Sequence, residues 1–61
     1  MNDNLKSLIK EILNSSDDDN VLATWKKITT GYETKDIIEA HSKVSGKLLE
    51  VLSRRISKRI G

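Results

Sequence analysis

The sequence predicts an all-α fold: a small domain of three helices, two short ones followed by a long C-terminal helix. Apolar residues recur at helical spacing along the whole chain, and the apolar/polar alternation typical of strands is missing. The 61 residues contain no proline, the residue that most strongly interrupts a helix. Polar side chains suited to capping precede each apolar segment. The length allows one domain, residues 1–61.

The first helix is predicted at residues 4–14. Its apolar positions follow the i, i+3, i+4 spacing of an amphipathic helix, and they are Leu5, Leu8, Ile9, Ile12 and Leu13. Asp3 or Asn4 is expected to cap its first turn, because a side-chain oxygen there can accept from a free backbone N–H group.

The second helix is predicted at residues 17–30, beginning within an acidic run of Asp17, Asp18 and Asp19. Carboxylates at this position cap free N–H groups and place negative charge at the positive end of the helix dipole. The expected buried face consists of Val21, Leu22, Trp25 and Ile28. Gly31 is expected to end the helix in the left-handed conformation.

The third helix is predicted at residues 35–60, with Thr34 as its cap. Its apolar residues form two faces about 90° apart around the helix. The first face, expected to pack on the two short helices, consists of Ile37, Val44, Leu48 and Val51. The second face consists of Leu49, Leu52, Ile56 and Ile60. Two faces indicate two packing partners.

The length of the third helix also favours a partner outside the core. At 1.5 Å per residue it would extend about 37 Å, against about 15 to 18 Å for the two short helices, so its C-terminal half would project beyond them. The alternative is a break at Ser45 and Gly46, because glycine costs about 1 kcal/mol relative to alanine inside a helix. The last segment would then fold back over the core as a fourth helix.

No residue pattern in the chain indicates catalysis, a metal site or a cofactor. Gly46 and Lys47 lack the other residues of a phosphate-binding loop, and the acidic run lacks the glycine and glutamate of a calcium loop. His41 stands near serines in sequence, but adjacent residues lie on different helix faces. We therefore expect a protein that binds and does not catalyse.

Positive charge is concentrated at the C-terminal end. From Lys43 onward six basic residues face a single acidic one, Glu50, whereas the preceding part has five lysines and eight acidic residues. Four of the basic residues fall within about 60° of one another on the helix and define the basic ridge: Lys43, Lys47, Arg54 and Lys58. The ridge is a candidate for nucleic-acid contact through phosphates. The favoured interpretation is that these charges are solvated or pair with the acidic run of a neighbouring subunit. Binding to a membrane surface is disfavoured, because this segment has no aromatic residue.

The function that the sequence favours is that of a small regulatory or adaptor protein, with no enzymatic activity, that works through protein–protein association. The second face would form the interface. A core of this size usually needs support, and a chain without cysteine has no disulfide to supply it. The expected partner is a second copy, in a homodimer with antiparallel third helices, or a larger protein; nucleic-acid binding is the alternative. No membrane span or signal peptide is recognisable, so we expect a cytoplasmic location.

Overall fold

The computed structural model describes residues 2–60, except for the side chain of Ile60. Within this range the chain forms three helices and no strand: α1 (Asp3–Asn14), α2 (Asp18–Gly31) and α3 (Thr34–Ile60). The predicted all-α fold with a long C-terminal helix is confirmed. Helix α3 has 27 residues, and the longest dimension of the molecule, 40 Å, is the length expected for such a helix.

Helix α3 is continuous through Gly46, so the alternative of a fourth helix is wrong. Glycine costs only about 1 kcal/mol at an interior helix position. Val44 and Leu48 on either side of it are buried in the core, and burying one such side chain contributes about 1.5 to 3 kcal/mol. Packing on both sides of the glycine therefore outweighs its low helix propensity.

The caps of the first two helices use side-chain oxygens, one of them at an unpredicted residue. Oδ1 of Asn2 accepts from the backbone N–H of Asn4 at 2.7 Å, so the prediction of Asp3 or Asn4 as the cap of α1 is wrong. Asp3 is already helical, which leaves the residue before it to cap. Oδ1 of Asp17 accepts from the N–H of Asp19 at 3.0 Å, and the predicted start of α2 within the acidic run is confirmed.

The turn between α2 and α3 differs from its prediction at both ends. Gly31 is helical and has no positive φ; the chain leaves α2 through Tyr32, whose extended backbone has φ −133° and ψ 163°. An extended residue already stops the helix, so a left-handed one is not needed. Thr34 is the first helical residue and not the cap, because the N–H of Ile37 donates to the carbonyl of Glu33 at 3.0 Å.

The core lies where the three helices meet. Its fully or almost fully buried apolar residues are Leu5, Ile9, Ile12, Val21, Ile28, Ala40, Val44, Leu48 and Val51. Leu8, Leu22, Trp25 and Ile37 pack against this cluster but remain partly exposed. Leu13 follows the apolar spacing predicted for α1 but lies outside this core, because its side chain is 47% exposed.

Thr24 is a buried polar residue that the apolar spacing did not predict. Its hydroxyl donates to Oε2 of Glu11 at 3.1 Å. A buried hydroxyl costs free energy unless it is hydrogen-bonded, and this bond satisfies it while joining α1 to α2.

Candidate protein-interaction surface

An apolar strip runs along the outer side of α3, away from the core. It contains three of the four residues predicted for the second face, and Leu49, Leu52 and Ile56 are 64%, 49% and 56% exposed. The predicted contribution of the Ile60 side chain lies outside the described residues. Large apolar side chains this exposed on one helix face are typical of a surface that binds another molecule.

Ile38 extends the apolar strip toward the start of α3, and sequence analysis missed it. It is 65% exposed and precedes Ile56 by 18 residues, or five helical turns at 3.6 residues per turn, so both side chains leave the helix in about the same direction. The spacing could be read from the sequence. Ile38 was nevertheless left out of the second face, because its neighbour Ile37 belongs to the first face and packs against the core. We use the name apolar strip for Ile38, Leu49, Leu52 and Ile56.

The C-terminal part of α3 projects beyond the two short helices. Val51 is the last buried residue among the side chains of α3 that the structure describes, and every residue from Leu52 to Arg59 is exposed. An open cleft with a volume of about 1170 Å³ lies between this projecting part and the start of α2. The acidic run lines one wall, and Leu52, Ile56 and Arg59 line the other. The apolar strip therefore borders a cleft with charged walls.

Two ion pairs hold the projecting part of α3 to the N-terminus of α2. Arg54 donates from Nε to Oδ2 of Asp18 at 2.8 Å and from Nη2 to Oδ1 at 2.7 Å, in a bidentate arrangement. Arg55 donates to the carboxylate of Asp19. The acidic run thus meets the basic helix within one chain, whereas the sequence had left solvation and pairing with a neighbouring subunit as the options for these charges. Both Asp residues also lie in the first turn of α2, which their charge stabilises.

The Asp18–Arg54 pair makes stability depend on pH. The hydrogen bonds from Arg54 hold the pKa of Asp18 below its ordinary value, and the same pair raises the pKa of Arg54. A carboxylate with a lower pKa in the folded state stabilises the fold fully above its unfolded pKa of about 3.9. This stabilisation is lost as the pH falls through the folded pKa.

Asp18→Asn is therefore expected to lower the melting temperature at neutral pH. The decrease should be small, because the pair is accessible to solvent, and it should vanish at pH values below the folded pKa of Asp18. Melting curves from about pH 7 to about pH 2 test this. The control is Asp3→Asn, which removes an exposed carboxylate from the first turn of α1 instead. A decrease that persists in acid would contradict an electrostatic origin.

One residue of the basic ridge forms an ion pair within the chain, so the ridge is only partly available for phosphates. Arg54 is engaged by Asp18, whereas Lys43 lies beside two lysines of α1, Lys6 and Lys10, along a shallow groove that Glu39 also lines. The fold thus brings lysines from two helices together, which the sequence order of these residues did not reveal. The role of the ridge in nucleic-acid contact stays a prediction.

His41 packs beside Trp25 of α2, with ring centroids 5.8 Å apart and ring planes inclined at 52°. His41 itself is exposed, and Trp25 is partly buried against the core. Aromatic rings at this separation attract each other in tilted arrangements. The contact helps to hold α2 against α3.

Comparisons of the chain with protein-family models, curated proteins and solved structures found no match. Within residues 2–60, none of the helices combines the length and apolar character needed to cross a membrane. The surface of α3 is therefore the feature from which a function can be inferred.

Proposed function

We propose that this chain is a small regulatory or adaptor protein, without enzymatic activity, that acts by protein–protein association through the apolar strip. The observation that carries the proposal is the exposure of Leu49, Leu52 and Ile56 on a helix that projects beyond its own core. Desolvated apolar anchors supply most of the free energy of protein interfaces. Association would also stabilise the folded state of a 61-residue chain whose core is small.

A photoreactive residue in place of Ser53, beside the apolar strip, tests this proposal in the source cell. Illumination is expected to produce adducts of discrete mass, with a second copy or with a larger protein. Adding Ile56→Asp to the same chain should abolish them, because a carboxylate in the contact would have to be desolvated.

The matched control for this experiment is Ser57→Asp. It introduces the same charge on the neighbouring residue, about 100° away around the helix and off the apolar strip, and it should leave the adducts in place. Circular dichroism should show that both variants remain helical. The proposal would be refuted if adducts still formed with Ile56→Asp, or if none formed when Ile56 was kept.

Nucleic-acid binding through the basic ridge is the second candidate function. The observation that favours it is the groove where Lys6 and Lys10 lie beside Lys43; the engagement of Arg54 by Asp18 weighs against it. The leading proposal implies negligible binding of mixed DNA or RNA near physiological salt. Salt-sensitive binding that Lys43→Glu with Lys47→Glu removes, and that Ile56→Asp leaves intact, would favour nucleic acid instead.

A further inference from the structure

We infer that the partner of the apolar strip is a second copy of this chain, paired antiparallel along α3 about a two-fold axis near residue 47. The inference rests on the proposed function and names its partner. It requires one helix face that is complementary to itself when reversed, because a two-fold interface brings the same surface of both copies together.

The exposed face of α3 has this symmetry. Its seam is formed by the apolar strip together with two serines, and all six residues fall within about 80° around the helix: Ile38, Ser42, Ser45, Leu49, Leu52 and Ile56. Their spacing of four, three, four, three and four residues reads the same in both directions. Spacing of this kind is the pattern by which paired helices interlock.

Reversal of one helix about residue 47 places large residues opposite small ones. Leu49 then faces Ser45 of the second copy, and Leu52 faces Ser42. At either end of the seam Ile38 faces Ile56. Alternation of large and small side chains across a contact fills space without overpacking.

Two details of the seam suit a close contact between helices. The hydroxyl of Ser42 donates to the carbonyl of Glu39 in its own helix at 2.6 Å, so it can be buried without losing its hydrogen bond. Gly46 lies one residue from the midpoint on the flank of the seam, about 80° from its midline, where a Cβ would have open space. A residue without a side chain adds no bulk beside the contact.

Charge selects the antiparallel orientation over the parallel one. The part of α3 before Lys43 carries one lysine and two carboxylates, whereas the part from Lys43 onward carries six basic residues and Glu50. Among the residues that the structure describes, Asp18 and Asp19 pair with two of these six. A parallel pair would bring two cationic ends together, and an antiparallel pair sets each cationic end beside the weakly acidic end of the other copy.

The antiparallel pair also covers what the single chain leaves exposed. Beyond Val51 no described residue of α3 is buried by α1 or α2. In the pair, this projecting part packs beside residues 34–42 of the second copy, and Ile56 loses contact with water against Ile38. Because the two faces of α3 are about 90° apart, the two cores lie beside the paired helices and not between them.

Disulfide mapping tests the inference directly, since the chain contains no cysteine. One purified chain carries Ile38→Cys, and a second carries Ile56→Cys and a peptide tag that changes its mass. After mixing, equilibration and oxidation with glutathione, the main linked product is expected to contain one chain of each mass. In a parallel pair the two positions would be about 27 Å apart along the axis, and each chain would link only to its own kind.

The first pair of cysteines replaces two isoleucines of the seam and can weaken the contact. A second pair, Ser42→Cys with Leu52→Cys, repeats the test with both isoleucines in place. Lys26→Cys on α2 sets the level of linkage by random collision. If the main linked products contained two chains of the same mass, the antiparallel arrangement would be wrong. If the yield of linked product for both pairs were no higher than for Lys26→Cys, the copies would not pair. If strip-dependent photo-adducts with a larger protein were found in that last case, the proposed function would stand and only this inference would fail.

Discussion

Ile12→Ala is expected to unfold the protein or to lower its melting temperature by about 10 °C or more. Ile12 is completely buried among the three helices, and its truncation removes apolar contacts and leaves a cavity at a cost of about 2 to 5 kcal/mol. At about 0.05 to 0.15 kcal/mol per residue, the whole chain has about 3 to 9 kcal/mol of stability. One core truncation can therefore remove most of the free energy of unfolding.

The neighbouring residue provides the control for this prediction. Leu13 is of similar size and stands next to Ile12 on α1, but it is 47% exposed. Leu13→Ala should cost about 1 kcal/mol or less, since surface substitutions away from special features have small effects. Urea unfolding of both variants, followed by circular dichroism at one protein concentration, measures the difference. Equal costs would mean that the core is not centred where the three helices meet.

Opposite effects on stability are expected from two substitutions of Gly46. Gly46→Ala should stabilise the dilute protein by about 1 kcal/mol, because alanine has the higher helix propensity and its Cβ has open space in the chain. Gly46→Pro should destabilise it by about 3 kcal/mol or more, because proline removes the N–H that bonds to the carbonyl four residues earlier and its ring clashes with that carbonyl.

The pair of variants tests the continuity of α3 at one position. Thermal unfolding at a fixed low concentration is the measurement, since association would itself raise stability. A harmless Gly46→Pro would indicate that α3 ends near Ser45 in solution and begins again after it. Such a result would also remove the basis for an extended seam along α3.

The element boundaries could be read from the sequence to within one or two residues. Helix spacing is a local property, and the apolar residues of α1 repeat it without interruption. The caps were harder, because several neighbouring polar residues can accept the same N–H groups and small differences in backbone angle decide which one does. Asn2 caps α1 although Asp3 and Asn4 are suitable residue types.

The candidate surface was only partly predictable. Leu49, Leu52 and Ile56 could be placed on a second face by angle alone, and the structure leaves all three exposed. Ile38 lies on the same face but was not predicted, because its neighbour Ile37 belongs to the face that packs on the core. The groove lined by Lys6, Lys10 and Lys43 could not be found from the order of residues, because the lysines of α1 are more than thirty positions from Lys43 in sequence.

The sequence by itself determined that the chain is helical, where its three helices lie and that the last one has two apolar faces. Only the tertiary structure decided that α3 is continuous through Gly46, that Thr24 and not Trp25 is fully buried, and that the acidic run meets Arg54 and Arg55 of its own chain. The physical reason is that helix periodicity depends on residues three or four positions apart. Burial and ion pairing depend on which helices touch, and that is settled by the packing of all three together.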